Sequence, residues 1–359
     1  MTQRQTTILG FVTLIAVLAA IWLAFGQRGG PAVDEGVGQP LVAGLADRVN
    51  DVAHVHLAGP DGETMLTRVN GDWQVAERDG YRADADKVRE MLVALVRAER
   101  LEPKTANPDR FDRLGLDADQ GVTVTLEAGG GERITTVRVG RRRFAGVNPR
   151  TFVLPDGEER TWLVSSLPSI GSGPVAWLDR EVAEIARARL AGVTLTHPDG
   201  EVVRISRAGP ADTNFTLEGL GEGEELTTPS AANTPATALL SVRADDVARL
   251  DAFEAPDAGR EAVADARYRT FDGLTVDVTL FTAGGETWAA LTAAFDPTTA
   301  TEADAPAQMP DAPADGAQEA AELNRRWAGW AYKLPAFKAD DMVRNRADLV
   351  AAEEATPDP

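Results

Sequence analysis

"VHLAGPDGETMLTRV" (Val55 to Val69) and "VTLTHPDGEVVRISR" (Val193 to Arg207) are two copies of one pattern. Each copy has a run of alternating apolar residues, then Pro-Asp-Gly, then a second alternating run. Proline presets φ in a turn and glycine tolerates a positive φ, so each stretch predicts a β-hairpin. A third strand is predicted after each hairpin, with Trp73 and Phe215 in equivalent places.

A helix is predicted after each third strand. In the first copy, the apolar residues between 88 and 96 keep the spacing of one helical face. Either Asp84 or Asp86 can serve as the N-cap of this helix. In the second copy, Thr234 is the predicted N-cap and Pro235 takes the first turn, where proline is tolerated.

A further hairpin is predicted after each helix, at Gly121 to Gly140 and at Gly273 to Phe295, because apolar residues alternate in both stretches. The first copy adds a hairpin around Pro155 to Gly157 and a closing helix over 175–186, "VAWLDREVAEIA". The sequence therefore predicts an α+β protein with two tandem duplicated domains, 46–190 and 191–351. Both would have mainly antiparallel sheet with packed helices.

The N-terminal stretch Thr7 to Phe25, "TILGFVTLIAVLAAIWLAF", contains no charged residue. As a helix it would be ~28 Å long, close to the ~30 Å hydrocarbon core of a bilayer. It exceeds the apolar run of a signal peptide and ends in "WLAFGQ", a poor cleavage site, which favours an uncleaved transmembrane helix. A cleaved signal and a buried helix are the alternatives. We expect residues 1–6 in the cytoplasm, a linker over 26–45, and the bulk of the chain on the outer side of the membrane, held by a single pass.

The chain is acidic, with a net charge of -20, and it contains no cysteine. The charge argues against nucleic acid, which is bound through basic patches, and disfavours uniform adhesion to an anionic membrane. The lack of cysteine excludes disulfides, thiolate catalysis and zinc-thiolate sites. Residues 297–318, rich in Pro, Ala and acids, predict a disordered loop, and residues 352–359 a disordered tail.

The segment 321–345, "AELNRRWAGWAYKLPAFKADDMVRN", follows the acidic loop and concentrates aromatic and basic residues. Its spacing predicts a short helix ending at Gly329, then a strand that Pro335 stops, then a helix mirroring the one that closes the first copy. The aromatics, which are Trp327, Trp330, Tyr332 and Phe337, are expected in the core of the second domain. An exposed binding box and a membrane-surface contact are the alternatives.

Four basic side chains of this segment are predicted to form a docking patch for a protein partner. They are Arg325, Arg326, Lys333 and Lys338. They fall largely between the aromatics, on the side expected to face water, next to the acidic neighbours Asp340 and Asp341.

The sequence places no catalytic, metal-binding or cofactor-binding residue. His54 and His56 share one face of a predicted strand, but no third ligand accompanies them, and we expect surface or packing roles. No G-x-S-x-G motif is present. The stretch Asp117 to Gly121, "DADQG", lacks ligands that a calcium loop needs. Arg141 to Arg143 are expected in a solvated loop, and binding of an acidic partner is the alternative.

Several ordered phrases resemble one known family. They are "GLADRVNDVAHVHL", "GYRADADKVREMLVAL", "EPKTANPDRFDRLGL", "WLDREVAEI" and "LNRRWAGWAYKLPAFKADDM". The chain is similar, from about residue 40 to 350, to the domain-of-unknown-function family forty-three-forty. The resemblance implies a bacterial membrane-anchored protein that accompanies components of ABC-type transporters, including those related to gliding-motility proteins. In a bacterium the predicted single pass would lie in the inner membrane, and the bulk of the chain would lie in the periplasm. It carries over no catalytic residue.

Two classes of function follow. The first is a non-enzymatic binding or scaffold module of the cell envelope, accessory to an ABC-type transport complex. The second is an envelope hydrolase with an unrecognised carboxylate-based site. The residues that line the main cavities discriminate between them, because convergent buried carboxylates or histidines favour the enzyme and a shallow apolar or charged surface favours the module.

Overall fold

A computed structural model describes residues 36–144, 149–165, 167–255, 258–300, 309 and 312–351. Several predicted segments lie outside these residues: the tail 1–6, the anchor 7–25, linker residues 26–35, residues 301–308, 310 and 311 of the acidic loop, and the tail 352–359. No helix in the described part of the chain is both long and apolar enough to span a bilayer.

The contacts divide the chain into two compact units. Unit 1 combines Met1–Val52 with Arg89–Ile170, and unit 2 combines Ala53–Val88 with Gly171–Pro359. The strands of the described residues are β1 Val52–Gly59, β2 Gly62–Val69, β3 Asp72–Val75, β4 Tyr81–Arg82, β5 Arg100–Pro103, β6 Val122–Ala128, β7 Arg133–Arg143, β8 Arg150–Pro155, β9 Trp162–Val164, β10 Glu181–Ala183, β11 Leu190–Thr196, β12 Val202–Ser206, β13 Thr216–Leu217, β14 Val242–Arg243, β15 Asp246–Arg249, β16 Glu261–Thr270, β17 Leu274–Ala283, β18 Glu286–Phe295 and β19 Trp330–Lys333.

Within the described residues the helices are fewer and mostly short. They are α1 Leu45–Arg48, α2 Ala85–Arg97, α3 Asn233–Ala236, α4 Gly316–Trp327, α5 Ala336–Met342 and α6 Arg346–Leu349. The α2 helix matches its prediction. Of the two predicted N-cap residues, Asp84 is the one that caps the helix, because its Oδ1 accepts a hydrogen bond from the Lys87 backbone N at 3.0 Å. The predicted α+β class with mostly antiparallel sheet is confirmed.

Unit 1 contains five antiparallel strands in the order β6-β7-β8-β9-β5. Alternate residues of these strands point into its core, where Leu126, Val137, Val153 and Leu163 are fully buried. Leu41 is also buried, so the described end of the linker packs into this unit.

Unit 2 contains the meander β4-β3-β2-β1 and an eight-stranded antiparallel sheet, β13-β12-β11-β16-β17-β18-β19-β15. Both predicted Pro-Asp-Gly hairpins are present. In the first, Gly59 pairs with Gly62 across a two-residue turn, and Gly62 has φ 116°. In the second, Thr196 pairs with Val202 across a longer turn.

The strand orders correct the predicted correspondence between the hairpin at Gly121 to Gly140 and the hairpin at Gly273 to Phe295. The order β6-β7-β8-β9-β5 in unit 1 has the same form as β16-β17-β18-β19-β15 in unit 2, so β6–β7 corresponds to β16–β17 and not to β17–β18. The β16 strand was not predicted because its core-facing residues include the small Ala264 and Ala266, which give a weak apolar alternation.

Two helix predictions are wrong. Residues 175–186 do not form a closing helix: a short 3-10 turn, Pro174–Trp177, is followed by β10, which pairs with β14. The partner strand satisfies the backbone there, and this tertiary pairing overrides the local helical pattern. In the second copy Thr234 is not an N-cap, because α3 begins after Ala232 and has no side-chain cap.

The predicted helix and strand near the C-terminus are confirmed. The Asp315 side chain caps α4 by accepting from the Gln318 N at 3.0 Å, and Gly329, at φ 76°, reverses the chain into β19. Trp327 and Tyr332 are buried as expected, Trp330 is half-buried, and Phe337 is 67% exposed. Within the predicted acidic loop, Met309 packs against Phe271 in the core, and α4 already begins at Gly316.

Candidate partner-binding cleft

The structure brings together two of the four basic residues predicted to form a docking patch. Arg325 and Arg326 lie in the last turn of α4 and line one cleft of unit 2. Lys333 lies on β19 and pairs with Glu286 at 2.7 Å, and the Lys338 Nζ donates to the Ala238 carbonyl at 3.2 Å. Neither lysine lines the cleft.

The cleft has a volume of about 460 Å³. One wall is the β3–β4 region and the other is the junction between α4 and β19. The residues that line it are Asp72, Trp73, Gln74, Gly80, Tyr81, Arg82, Ala83, Ala85, Arg325, Arg326 and Trp330. It therefore combines three guanidinium groups with two half-buried indoles, and Asp72 is its one carboxylate.

Local turn chemistry shapes both walls. Between β3 and β4, Asp79 and Gly80 adopt φ 53° and 74°, and the Gly80 N donates to the Val75 carbonyl at 3.1 Å. On the opposite wall, the left-handed Gly329 ends α4 and leads into β19, which begins with Trp330. These two reversals bring Trp73 and Trp330 to the same cleft although they are far apart in the sequence.

Arg82 holds the two walls together. Its Nε donates to the Asp179 Oδ2 at 2.6 Å, its Nη1 to the Arg326 carbonyl at 3.1 Å, and its Nη2 to the Glu181 carbonyl at 3.3 Å. Burial opposes the charged form of Arg82, but the neighbouring Tyr81 and Asp179 oxygens outweigh it and raise its pKa above the usual value. Arg82 therefore stays charged and fixed in position.

The aromatic side of the cleft is equally fixed. The rings of Tyr81 and Trp330 meet edge to face with centroids 4.8 Å apart, and the Arg249 guanidinium lies 4.8 Å from the Trp330 ring centroid. Burial raises the pKa of Tyr81, so its hydroxyl is protonated at neutral pH and donates to the Asp179 carbonyl. The half-buried Trp330 thus presents a rigid surface to the cleft.

Arg325 differs from the other two arginines of the cleft. Arg326 pairs with Glu181 at 3.5 Å, and Arg82 is held by its three acceptors. The exposed Arg325 side chain has no hydrogen bond or ion pair within the described residues. It is the cation in this cleft that remains available to an external anion.

A second cavity of unit 2 lies on the polar face of the eight-stranded sheet and has a volume of about 590 Å³. Its two carboxylates are engaged by neighbours. Asp277 accepts from the Arg267 Nε at 2.6 Å, and Asp265 accepts from the Thr279 hydroxyl at 2.9 Å. Both carboxylates therefore take part in hydrogen bonds that are typical of exposed side chains on a sheet surface.

The histidines have separate neighbours. The His54 Nδ1 lies 3.4 Å from the Thr67 hydroxyl, and the His56 Nε2 lies 3.5 Å from Glu63. The residues described by the structure contain no group of three or more His, Asp or Glu arranged to hold a metal ion. In the calcium-like stretch, Asp117 instead accepts from the Gln120 side chain at 2.8 Å.

The model of the family Domain of unknown function (DUF4340) matches residues 73–263, which is more than half of the chain. The chain belongs to the DUF4340 family. The comparison with curated proteins found no match, and neither did the comparison with solved structures.

The part of this DUF4340 chain that matches the family contains one wall of the cleft. Trp73 and Arg82 lie inside the matched range, whereas Arg325, Arg326 and Trp330 follow it. Trp73 was predicted only as a strand residue, and Arg82 was not predicted as a site residue. The available signal was the polar and aromatic composition of "GDWQVAERDGYR", residues 71–82, between two predicted elements.

Proposed function

We propose that this DUF4340 chain is a non-enzymatic binding module whose unit 2 cleft holds an acidic segment of a partner protein. The observation that carries the proposal is the position of Arg325, which has no ion-pair partner among the described residues and lines the same cleft as Trp73 and Trp330. Arginine clusters are a common means of recognising acidic motifs, and indoles add contact area at small conformational cost.

The chemistry of the cleft supports binding in preference to proton transfer. A guanidinium cannot be deprotonated near neutral pH, so Arg82, Arg325 and Arg326 supply fixed positive charge and hydrogen bonds. The alternative hydrolase draws no support from Asp265 and Asp277, because their neighbours already engage both carboxylates.

We further propose that the partner belongs to an ABC-type transport complex and that Thr7–Phe25 anchors the chain in the inner membrane, with the bulk in the periplasm. The family resemblance supports the partner, and the length and apolar character of the segment support the anchor. The similar strand orders of the two units support a duplicated architecture.

The test is affinity purification of the full chain from detergent-solubilised membranes. We expect a transporter component to co-purify with the wild type, and expect Arg325→Glu and Trp73→Ala to lose it. The matched control is Arg269→Glu, which makes the same charge change at an exposed position of β16 outside the cleft. Identical partners in Arg325→Glu and wild type would reject the cleft, and turnover of a substrate by the purified chain without any partner would reject the module.

A further inference from the structure

The net charge of -20 is not shared equally by the two units. The residues assigned to unit 1, 1–52 and 89–170, contain sixteen Lys and Arg and sixteen Asp and Glu. The residues of unit 2 contain twenty Lys and Arg and forty Asp and Glu. Unit 2 therefore carries the entire net charge, and the argument against membrane adhesion from overall charge does not apply to unit 1.

Unit 1 exposes one large aromatic side chain among arginines. Phe144, which follows β7, is 76% exposed, and the Arg142 guanidinium carbon lies 5.4 Å from its ring centroid. Arg143 pairs across the hairpin with Arg150 on β8. This hairpin end thus carries an exposed apolar ring and three arginines, with Arg142 beside the ring and Arg143 and Arg150 paired across the two strands.

An apolar groove continues from the same hairpin end. It has a volume of about 560 Å³ and lies between α2, Leu101 on β5 and the start of β8. The groove is lined by Glu90, Val93, Ala94, Arg97, Leu101, Pro149, Arg150 and Ser165. Val93 is a further exposed apolar side chain of unit 1. Arg97 and Arg150 add positive charge to this apolar surface.

The acids near this surface are outnumbered. Glu90 lines the groove, and Glu102 forms an ion pair with Lys104. The Lys104 ammonium lowers the pKa of Glu102, and Arg143 and Arg150 are close enough to contribute. Glu99 also borders the groove, because its backbone N donates to the Ser165 hydroxyl at 3.0 Å. Three carboxylates therefore stand against five cations: Arg97, Lys104, Arg142, Arg143 and Arg150.

We infer that Phe144, the groove and the surrounding arginines form a surface that docks on an anionic phospholipid bilayer. Aromatic rings partition into the interfacial region of a membrane, and each nearby Lys or Arg adds about 1 kcal/mol of attraction to an anionic surface. Arginine also forms two-point hydrogen bonds to phosphate. The exposed ring and the local positive charge are complementary to such a surface, which offers both phosphate groups and an apolar interior.

The tether of the proposed function reinforces this docking. The predicted anchor ends at Phe25, eleven residues before Gly36, where the described part of unit 1 begins. An extended chain of that length spans at most about 40 Å. Unit 1 would thus stay near the bilayer, and the tether would raise the effective concentration of the docking surface.

The test uses the full chain in nanodiscs made from phosphatidylcholine alone or mixed with phosphatidylglycerol. Hydrogen exchange of the peptide covering Arg142–Arg150 should be several-fold slower in the anionic discs. Phe144→Ser and the pair Arg143→Glu with Arg150→Glu should abolish this difference. Phe337→Ser, at an aromatic of unit 2 that is 67% exposed, is the matched control and should preserve it.

Equal exchange of the wild type in both lipids would overturn the inference, as would lipid-dependent protection that survives the charge reversal. Exchange of β6, in the core of unit 1, checks that each variant is folded, and the wild-type comparison decides the question even if a variant is not. The partner test with Arg325→Glu changes a residue of unit 2, whereas the lipid test changes residues of unit 1. Either proposal can therefore be rejected without affecting the other.

Discussion

Arg189 and Glu319 lie 130 residues apart in the sequence and form a two-point ion pair, with Nη1 2.8 Å from Oε1 and Nη2 2.7 Å from Oε2. The Arg189 side chain is only 4% exposed, and its Nε donates to Asp272 at 2.9 Å. Glu319 lies in the first turn of α4, where the helix dipole also favours a carboxylate. The pair fixes α4 to the strand end at β11.

Replacing Glu319 should destabilise unit 2. In Glu319→Ala, Arg189 remains buried with Asp272 alone, and breaking a buried ion pair costs about 3 kcal/mol in unfolding free energy. Urea denaturation of the full chain measures the change. The control Arg267→Ala breaks the exposed pair with Asp277 and should cost less than about 1 kcal/mol. Equal effects of the two substitutions would contradict the importance of burial.

Arg207 should not be replaceable by lysine. Its guanidinium donates to the carbonyls of five residues and lies between the rings of Phe215 and Phe271, whose centroids are 4.7 and 5.4 Å away. The five residues are Arg187, Ala188, Leu190, Pro210 and Asp212. A single ammonium cannot reach all of these acceptors.

Arg207→Lys should therefore lower the unfolding free energy by about 2 kcal/mol, because buried carbonyls lose their donors. Chemical denaturation measures this. Arg204→Lys, on an exposed position of β12, serves as the control and should be close to neutral. A stable Arg207→Lys variant would show that water replaces the missing donors.

The stability of unit 2 should respond to Asp341 in a pH-dependent way. Burial raises the pKa of Asp341 in the folded state, although Lys338 and Arg344 oppose this. The folded-state pKa thus lies above the unfolded value of about 3.9, so ionisation of Asp341 removes stability as the pH rises through the folded-state pKa.

Asp341→Asn should accordingly be more stable than wild type at neutral pH, and this gain should disappear below about pH 4. Thermal denaturation across this pH range measures the difference. Asp340→Asn removes the same charge from the exposed neighbouring residue and controls for net charge. A loss of stability in Asp341→Asn at every pH would contradict the argument.

The predicted anchor has a direct test. Carbonate extraction at high pH strips peripheral proteins and leaves transmembrane helices in the membrane. We expect the full chain to remain in the membrane pellet, and expect a variant lacking residues 7–25 to appear in the soluble fraction. Release of the full-length protein would eliminate the tether.

The sequence determined the features that depend on neighbouring residues. Pro-Asp-Gly predicted the β1–β2 and β11–β12 hairpins because turn chemistry is set within four residues. Alternation predicted β6, β7, β17 and β18, and Gly329 predicted the end of α4, for the same local reason. Where a partner strand decided the conformation, as at β10, the local pattern predicted a helix and failed.

The tertiary structure alone decided which side chains meet. The Arg82 guanidinium binds the carbonyl of Arg326, 244 residues away, and this contact aligns the walls of the cleft. The unequal charge of the two units also depends on the tertiary structure, because each unit combines two stretches that are distant in the sequence. Composition and periodicity contain no information on such contacts, because they depend on the packing of whole strands and helices, not on the order of residues within one.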